Sequence, residues 1–132
     1  MPIVVDASAL VAAVFEEPGG VELTVLAKTG WVVPALWWFE VRNAFIVNER
    51  RGRSSERLTA GFLRELSQIS IEADAKPESD AVLALARKHR LTVYDAAYLE
   101  LAQRRGLPLA TPNAPLAAAA QAEGVKLIGD GS

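Results

Sequence analysis

Short runs of β-branched and apolar residues alternate along the chain with stretches whose apolar positions recur at helical spacing. PIVVD, at residues 2–6, is the first such run and predicts a buried strand. ASALVAAVFEE follows and predicts a helix, closed by Glu16, Glu17, Pro18 and the Gly19–Gly20 pair. GVELTVLAKTG predicts a second helix ending at Gly30, and WVV a short strand before Pro34. A long helix is expected from Leu36 to Arg51, stopped by Gly52. Ser54 and Ser55 are good N-caps for the next, which carries Leu58, Phe62, Leu66 and Ile69 at helical spacing. ISIEA predicts a strand and SDAVLALARKHR a helix capped at Ser79. DAAYLELAQRRG predicts a helix with Asp95 in its first turn and Gly106 past its end. LPLAT reads as a strand, NAPLAAAAQAEG as a helix capped by Asn113, and VKLIG as a final strand before a frayed GDGS tail.

Short apolar strands alternating with helices predict a parallel sheet covered on both faces, an α/β fold. At 132 residues and 51% apolar composition the chain fits one domain, residues 1–132, with a filled core. Cysteine is absent, which excludes disulfides and thiolate metal sites and fits a reducing compartment. Asp6 interrupts the apolar start, and no basic segment precedes it, so no signal peptide is read. The apolar run from Trp31 to Phe39 contains Pro34 and falls far short of the ~20 residues of a spanning helix. The expectation is a soluble cytoplasmic protein with no membrane partner.

The net charge of −2 carries no global basic signal for nucleic acid, but its distribution is uneven. Between Arg42 and Arg64 six arginines face two glutamates, and between Arg87 and Arg105 five basic residues face two acids. Such patches either meet phosphates or are solvated helix faces. Arg50, Arg51 and Arg53 lie at and beyond the end of the predicted long helix and are the candidate RNA contacts.

Dinucleotide, P-loop and nucleophile-elbow motifs are absent. The single histidine, His89 in RKHR, reads as a solvated side chain, and with no second histidine and no cysteine a typical zinc site is not expected. Carboxylates remain. Asp6 stands where a strand meets a helix, the edge at which open α/β sheets bind ligands, or is simply an N-cap. Glu40 falls on the stripe Leu36, Glu40, Asn43, Ala44 and Val47 of an otherwise apolar helix, where it needs an arginine or a cation. Asp95 either favours its helix N-terminus electrostatically or joins the others. Asn113 is a cap with Thr111 just before it. If these groups share a cleft, two carboxylates at 4 Å repel by ~4 kcal/mol at an effective dielectric of about 20. A hard divalent cation with oxygen ligands, Mg²⁺ or Mn²⁺, is the natural remedy, and phosphodiester hydrolysis is the reaction it suits.

VVDASAL, WFEVRNAF, YDAAYLELA and LATPNAPL, in this order and spacing, resemble the motif regions of the PIN-domain nucleases, and in particular of VapC toxins. The resemblance spans nearly the whole chain. It implies a three-layer α/β/α sandwich with a short parallel sheet, an acidic Mg²⁺ or Mn²⁺ site, RNA cleavage, homodimerisation, and inhibition by a VapB-type antitoxin. By position, Asp6, Glu40 and Asp95 would be the catalytic metal-binding acids, with Ser8, Asn43 and Thr111 supporting them. Asn113 departs from the family pattern, which usually has aspartate there; it keeps a carbonyl oxygen but loses a charge.

That departure motivates a rival reading, a catalytically weak PIN-like protein that binds RNA or an antitoxin. A receiver-like phosphoacceptor would need paired acids after the first strand, and Ala7 follows Asp6 instead. Trp37, Trp38, Phe39 and Phe45 crowd one helix, enough aromatic surface to split between the core and a protein partner.

Overall fold

The first β-branched run forms β1 (Ile3–Val5), buried along its whole length. A computed structural model describes residues 1–17 and 21–129 of the chain. Asp6 turns the chain into α1 (Ala7–Val14) by accepting a hydrogen bond from the Ser8 backbone N–H. The expected stop at Pro18–Gly20 lies outside the described residues. The second predicted helix shrinks to a single turn, α2 (Leu23–Leu26), with no side-chain cap. Buried Leu26 anchors it, and its carbonyl accepts from the Trp31 indole at 2.8 Å.

β2 (Trp31–Pro34) runs through its proline. Its pairing with β1 ends at Val32, so the missing Pro34 N–H breaks no ladder bond on that side. Next come α3 (Trp37–Arg50) and α4 (Glu56–Leu66), the latter capped by Ser55 as expected. β3 (Ile71–Asp74) is only partly buried, and its Glu72 and Asp74 break the expectation of wholly apolar strands. It can carry them because it is an edge strand. α5 (Ser79–His89) has Glu78, not Ser79, at its N-cap position. α6 (Val93–Arg105) starts two residues before Asp95, with the Thr92 hydroxyl accepting from the Asp95 N–H. It ends at Gly106, whose φ of 65° suits a residue without a Cβ. β4 (Leu109–Ala110) and α7 (Ala114–Ala122), capped by Asn113, follow. The expected last strand contributes only one bridge, Leu127 beside Leu109.

The four strands are parallel, in the order β3-β2-β1-β4. From β1 the chain steps one way to β2 and β3, then returns to the other side of β1 as β4. The crevice beyond β1 and β4 is therefore the topological switch point, where such sheets present ligand sites at the C-terminal ends of their strands.

Helices complete a three-layer α/β/α sandwich. α6 packs on β1, β2 and β4 and carries α5 and α7 on its flanks. Its buried residues, from Ala96 to Ala102, leave little polar face, as befits a helix covered on most sides. α1 packs against α2 and α3. Phe45 of α3 meets Phe15 at 6.0 Å and stacks on Phe62 of α4 at 5.9 Å between centroids. These aromatics choose the buried face of α3, which is Trp37, Val41, Phe45 and Asn48. The predicted stripe through Leu36, Glu40 and Asn43 is offset from it, so Glu40 sits at the margin of the core and Asn43 is exposed.

Charged pairs fasten the periphery. Arg104 bonds Glu100 at 2.7 Å and Asp74 at 3.1 Å, and Arg105 reaches Glu72 at 2.6 Å, tying α6 to the edge strand. The second basic segment is thus largely neutralised within the fold. His89 is not solvated; its Nε2 lies 2.7 Å from Glu123, which Lys88 also meets at 2.8 Å.

The Lys88 and His89 partners pull the Glu123 carboxyl down to about 2. An ordinary glutamate in the unfolded chain titrates near ~4.3, so this cluster stabilises the fold fully above that pH and loses its effect as pH falls toward 2. Glu123→Gln should lower the melting temperature at pH 7 by ~3 °C. The gap from the parent should close on acidification below pH ~4. Thermal melts of both proteins across pH check it.

Candidate active site

Parallel pairing of β1 with β4 sets the first geometric fact of the site. Val5 registers with Ala110, and the Asp6 N–H bonds the Ala110 carbonyl at 3.0 Å, so Asp6 and Thr111 leave the sheet side by side. The Thr111 hydroxyl donates to Asp6 Oδ2 at 2.7 Å, and the Ser8 hydroxyl donates to the same oxygen at 2.7 Å. Oδ1 accepts from the Ser8 N–H at 3.2 Å. Asp6 is 5% exposed, and these three donors are what make a buried carboxylate tolerable there.

Glu40 arrives from the first turn of α3, which begins just beyond the C-terminal end of β2. Its Oε1 accepts from the Tyr98 hydroxyl at 2.6 Å. Burial holds its carboxyl above the ordinary glutamate range; the Tyr98 bond opposes this, and the charges of Asp6 and Asp95 add to it. Asp95 lies in the first turn of α6. Burial and the Asp6 charge raise its carboxyl too, against hydrogen bonds from Asn113 and Thr92. Tyr98, wholly buried, is pushed up by desolvation and by Glu40, so it remains a protonated donor.

Asn113 does two things. Its Oδ1 accepts from the Leu116 N–H at 3.1 Å as the α7 cap, and its Nδ2 donates to Asp95 at 3.4 Å. Its own N–H bonds the Thr111 hydroxyl at 3.1 Å. An aspartate here would cap equally well but would replace a donor to Asp95 with a third nearby negative charge.

Asp6, Glu40, Asp95, Ser8, Thr111 and Asn113 therefore meet at one sheet edge. Asn43, exposed one turn along α3, joins none of these bonds. Arg50 and Arg51 are exposed at the far end of α3, while Arg53 is paired with Glu17 at 3.2 Å and lies over the Phe15 ring. Ten residues of helix separate Glu40 from Arg50, roughly 15 Å. Trp37 and Phe45 belong to the core, whereas Trp38 and Phe39 are 52% and 70% exposed. Their rings meet edge-on at 5.0 Å, with Arg42 over Trp38 at 3.8 Å.

Sequence reasoning missed two residues that organise this edge, Thr92 and Tyr98. Tyr98 falls three positions after Asp95, on the same helix face, and its polar tip on an apolar stretch was the available signal.

All donors here are oxygen, the set that suits a hard divalent cation. Burial of Glu40 and Asp95, with the charge of Asp6 added, is the imbalance such an ion would relieve. Among the described residues, no three acidic or histidine side chains stand close enough to form a ready ion cage. The donor chemistry fits such an ion, which would need these side chains to draw closer to hold it.

The comparisons with known proteins bear on the same segments. The PIN domain family matches residues 3–122, from β1 to the end of α7. The chain belongs to the PIN-domain family. Its sequence is 36% identical over 123 residues to Ribonuclease VapC3 of Pyrobaculum aerophilum, covering 89% of this chain and 93% of that protein. The crystal structure of PAE2754, also from Pyrobaculum aerophilum, superposes with a TM-score of 0.69 at 30% identity, covering 90% of this chain and 79% of the other. A chain of a toxin–antitoxin complex from Klebsiella pneumoniae shares the fold at a TM-score of 0.55 and 22% identity, covering 84% and 86% of the two chains. No helix among the described residues of this PIN domain is long and apolar enough to cross a membrane.

The raised carboxyls make a stability prediction for the metal-free protein. An acid raised on folding destabilises the fold when charged, so neutralising it helps above its raised pKa and does nothing below its ordinary one. Glu40→Gln and Asp95→Asn should each preserve or raise the melting temperature at pH 7 in EDTA. Asp6→Asn should lower it, because the amide cannot accept from all three donors of Asp6. The expected loss is about 1–3 kcal/mol. Melts in EDTA at pH 7 distinguish the two outcomes.

Proposed function

We propose that this PIN domain is a metal-dependent endoribonuclease toxin. It hydrolyses phosphodiester bonds in tRNA or rRNA loops of the cytoplasm, with Mg²⁺ or Mn²⁺ as cofactor, and is restrained by a VapB-type antitoxin. The observation that carries the reading is the convergence of Asp6, Glu40 and Asp95 at the switch-point edge, where the charge of Asp6 reaches both other acids. The 36% identity to a protein named a ribonuclease supports it.

Asp6, Glu40 and Asp95 would hold the ion, which when bound acidifies water and draws charge from a phosphate oxygen. The chain's own residues set the stage. Ser8 and Thr111 keep Asp6 in one orientation, using about three of its four acceptor sites and leaving room for one more contact. Asn113 steadies Asp95 from the α7 cap without adding charge. Arg50 and Arg51, exposed and in no ion pair among the described residues, would in this reading hold phosphates a few nucleotides from the acids. The exposed Trp38–Phe39 pair is the surface we assign to the antitoxin or to a second protomer of a homodimer.

Incubation of the pure protein with total tRNA and rRNA, in Mg²⁺, Mn²⁺ or EDTA, tests the reading. New ends at discrete loop positions are expected with either metal and none in EDTA. Asp95→Asn should slow cleavage by roughly 100-fold or more, the scale for losing a group that offsets developing charge. Asn113→Asp should lower the Mg²⁺ concentration needed, through its added charged oxygen. The double engagement of Asn113 also favours a weak enzyme that chiefly binds. RNA binding without new ends in the parent, with ends appearing in Asn113→Asp, would establish that second reading. Cleavage undiminished in EDTA would sink the first.

A further inference from the structure

We propose that Tyr98 is a positioning residue whose phenol fixes Glu40 and, through it, the spacing of the acidic edge. The inference rests on the cation-binding reading of that edge. Its basis is one oxygen touching each segment that delivers an acid. The hydroxyl donates to Glu40 on α3 at 2.6 Å. It accepts at 3.4 Å from the N–H of Ala7, the residue that follows Asp6. The ring itself rises from α6 one turn beyond Asp95.

The bond to Glu40 is short and charge-assisted, the strong kind of hydrogen bond. Without it the Glu40 carboxylate, on a flexible side chain at the start of a helix, has no other hydrogen-bond partner among the described residues. With it, Oε1 is held against the Tyr98 hydroxyl, and Oε2 and the second acceptor site of Oε1 are left to take other partners. Tyr98 is also fully buried with its ring in the core. Phenylalanine keeps that packing and removes only the oxygen, so Tyr98→Phe separates the positioning role from a packing role.

The test uses the full chain and Mn²⁺ alone as probe. Electron paramagnetic resonance should show Tyr98→Phe binding Mn²⁺ ~10-fold or more weakly than the parent, the scale seen when a partner that orients a metal ligand is lost. Its far-ultraviolet circular dichroism should be unchanged. An unaltered Mn²⁺ dissociation constant would overturn the proposal. A metal-free thermal cycle of parent, Tyr98→Phe, Glu40→Ala and the double variant gives a second readout. Non-additive melting changes are expected, because Glu40→Ala removes the acceptor through which Tyr98 acts. Additive changes would overturn the proposal. A parent that bound no Mn²⁺ would defeat the proposed function, and the metal-free cycle alone would then decide the role of Tyr98.

Discussion

Carboxylates drawn to one edge of a buried sheet must be held by donors, neutralised or supplied with a counter-charge. This constraint organises the PIN domain around β1. Asp6 takes the first solution, with Ser8 and Thr111 supplying hydroxyls across the β1–β4 junction. Glu40 and Asp95 are only partly relieved, by Tyr98 and Asn113, and both remain raised by burial and by the charge of Asp6. A cation bound there would relieve this conflict at the acidic edge. The rest of the sheet serves to place it: β1 between β2 and β4, and α6 across the layer that carries Asp95 and Tyr98.

The contrast with the other side of the molecule is instructive. Acids are also numerous near β3, where Glu72, Asp74 and Glu100 gather. There Arg104 and Arg105 neutralise them by direct pairing, and Arg104 holds the Asp74 carboxyl below the ordinary range. Among the described residues no arginine is paired with Asp6, Glu40 or Asp95. The structural salt bridge that a buried Glu40 left open as an explanation is therefore replaced by a tyrosine, which stabilises one oxygen without cancelling the charge.

Much of this was legible in the sequence because strand and helix periods differ and because caps carry specific side chains. Ser55 and Asn113 cap the helices expected of them. The failures have physical causes. VKLIG is apolar enough for a strand but meets the sheet only at Leu127. The second helix lacked a capping side chain and closed after one turn. The face of α3 was misjudged because hydrophobic spacing alone does not say which of two overlapping stripes wins. The interleaved rings of Phe15, Phe45 and Phe62 decide it, moving Glu40 to the margin and Asn43 into solvent. Tyr98 escaped notice because its role depends on a contact 58 positions away in the chain.

The central question is whether the acidic edge takes up a divalent cation in preference to screening salt. The most direct measurement is the melting temperature of the parent protein titrated with Mg²⁺ at constant ionic strength. A ligand bound only by the native state adds stability that grows with the logarithm of its concentration, reaching about 2.7 kcal/mol at a hundredfold excess over its dissociation constant. The account predicts that logarithmic rise with Mg²⁺, with the slope of at least one bound ion. A melting temperature that stayed flat across the titration would contradict it.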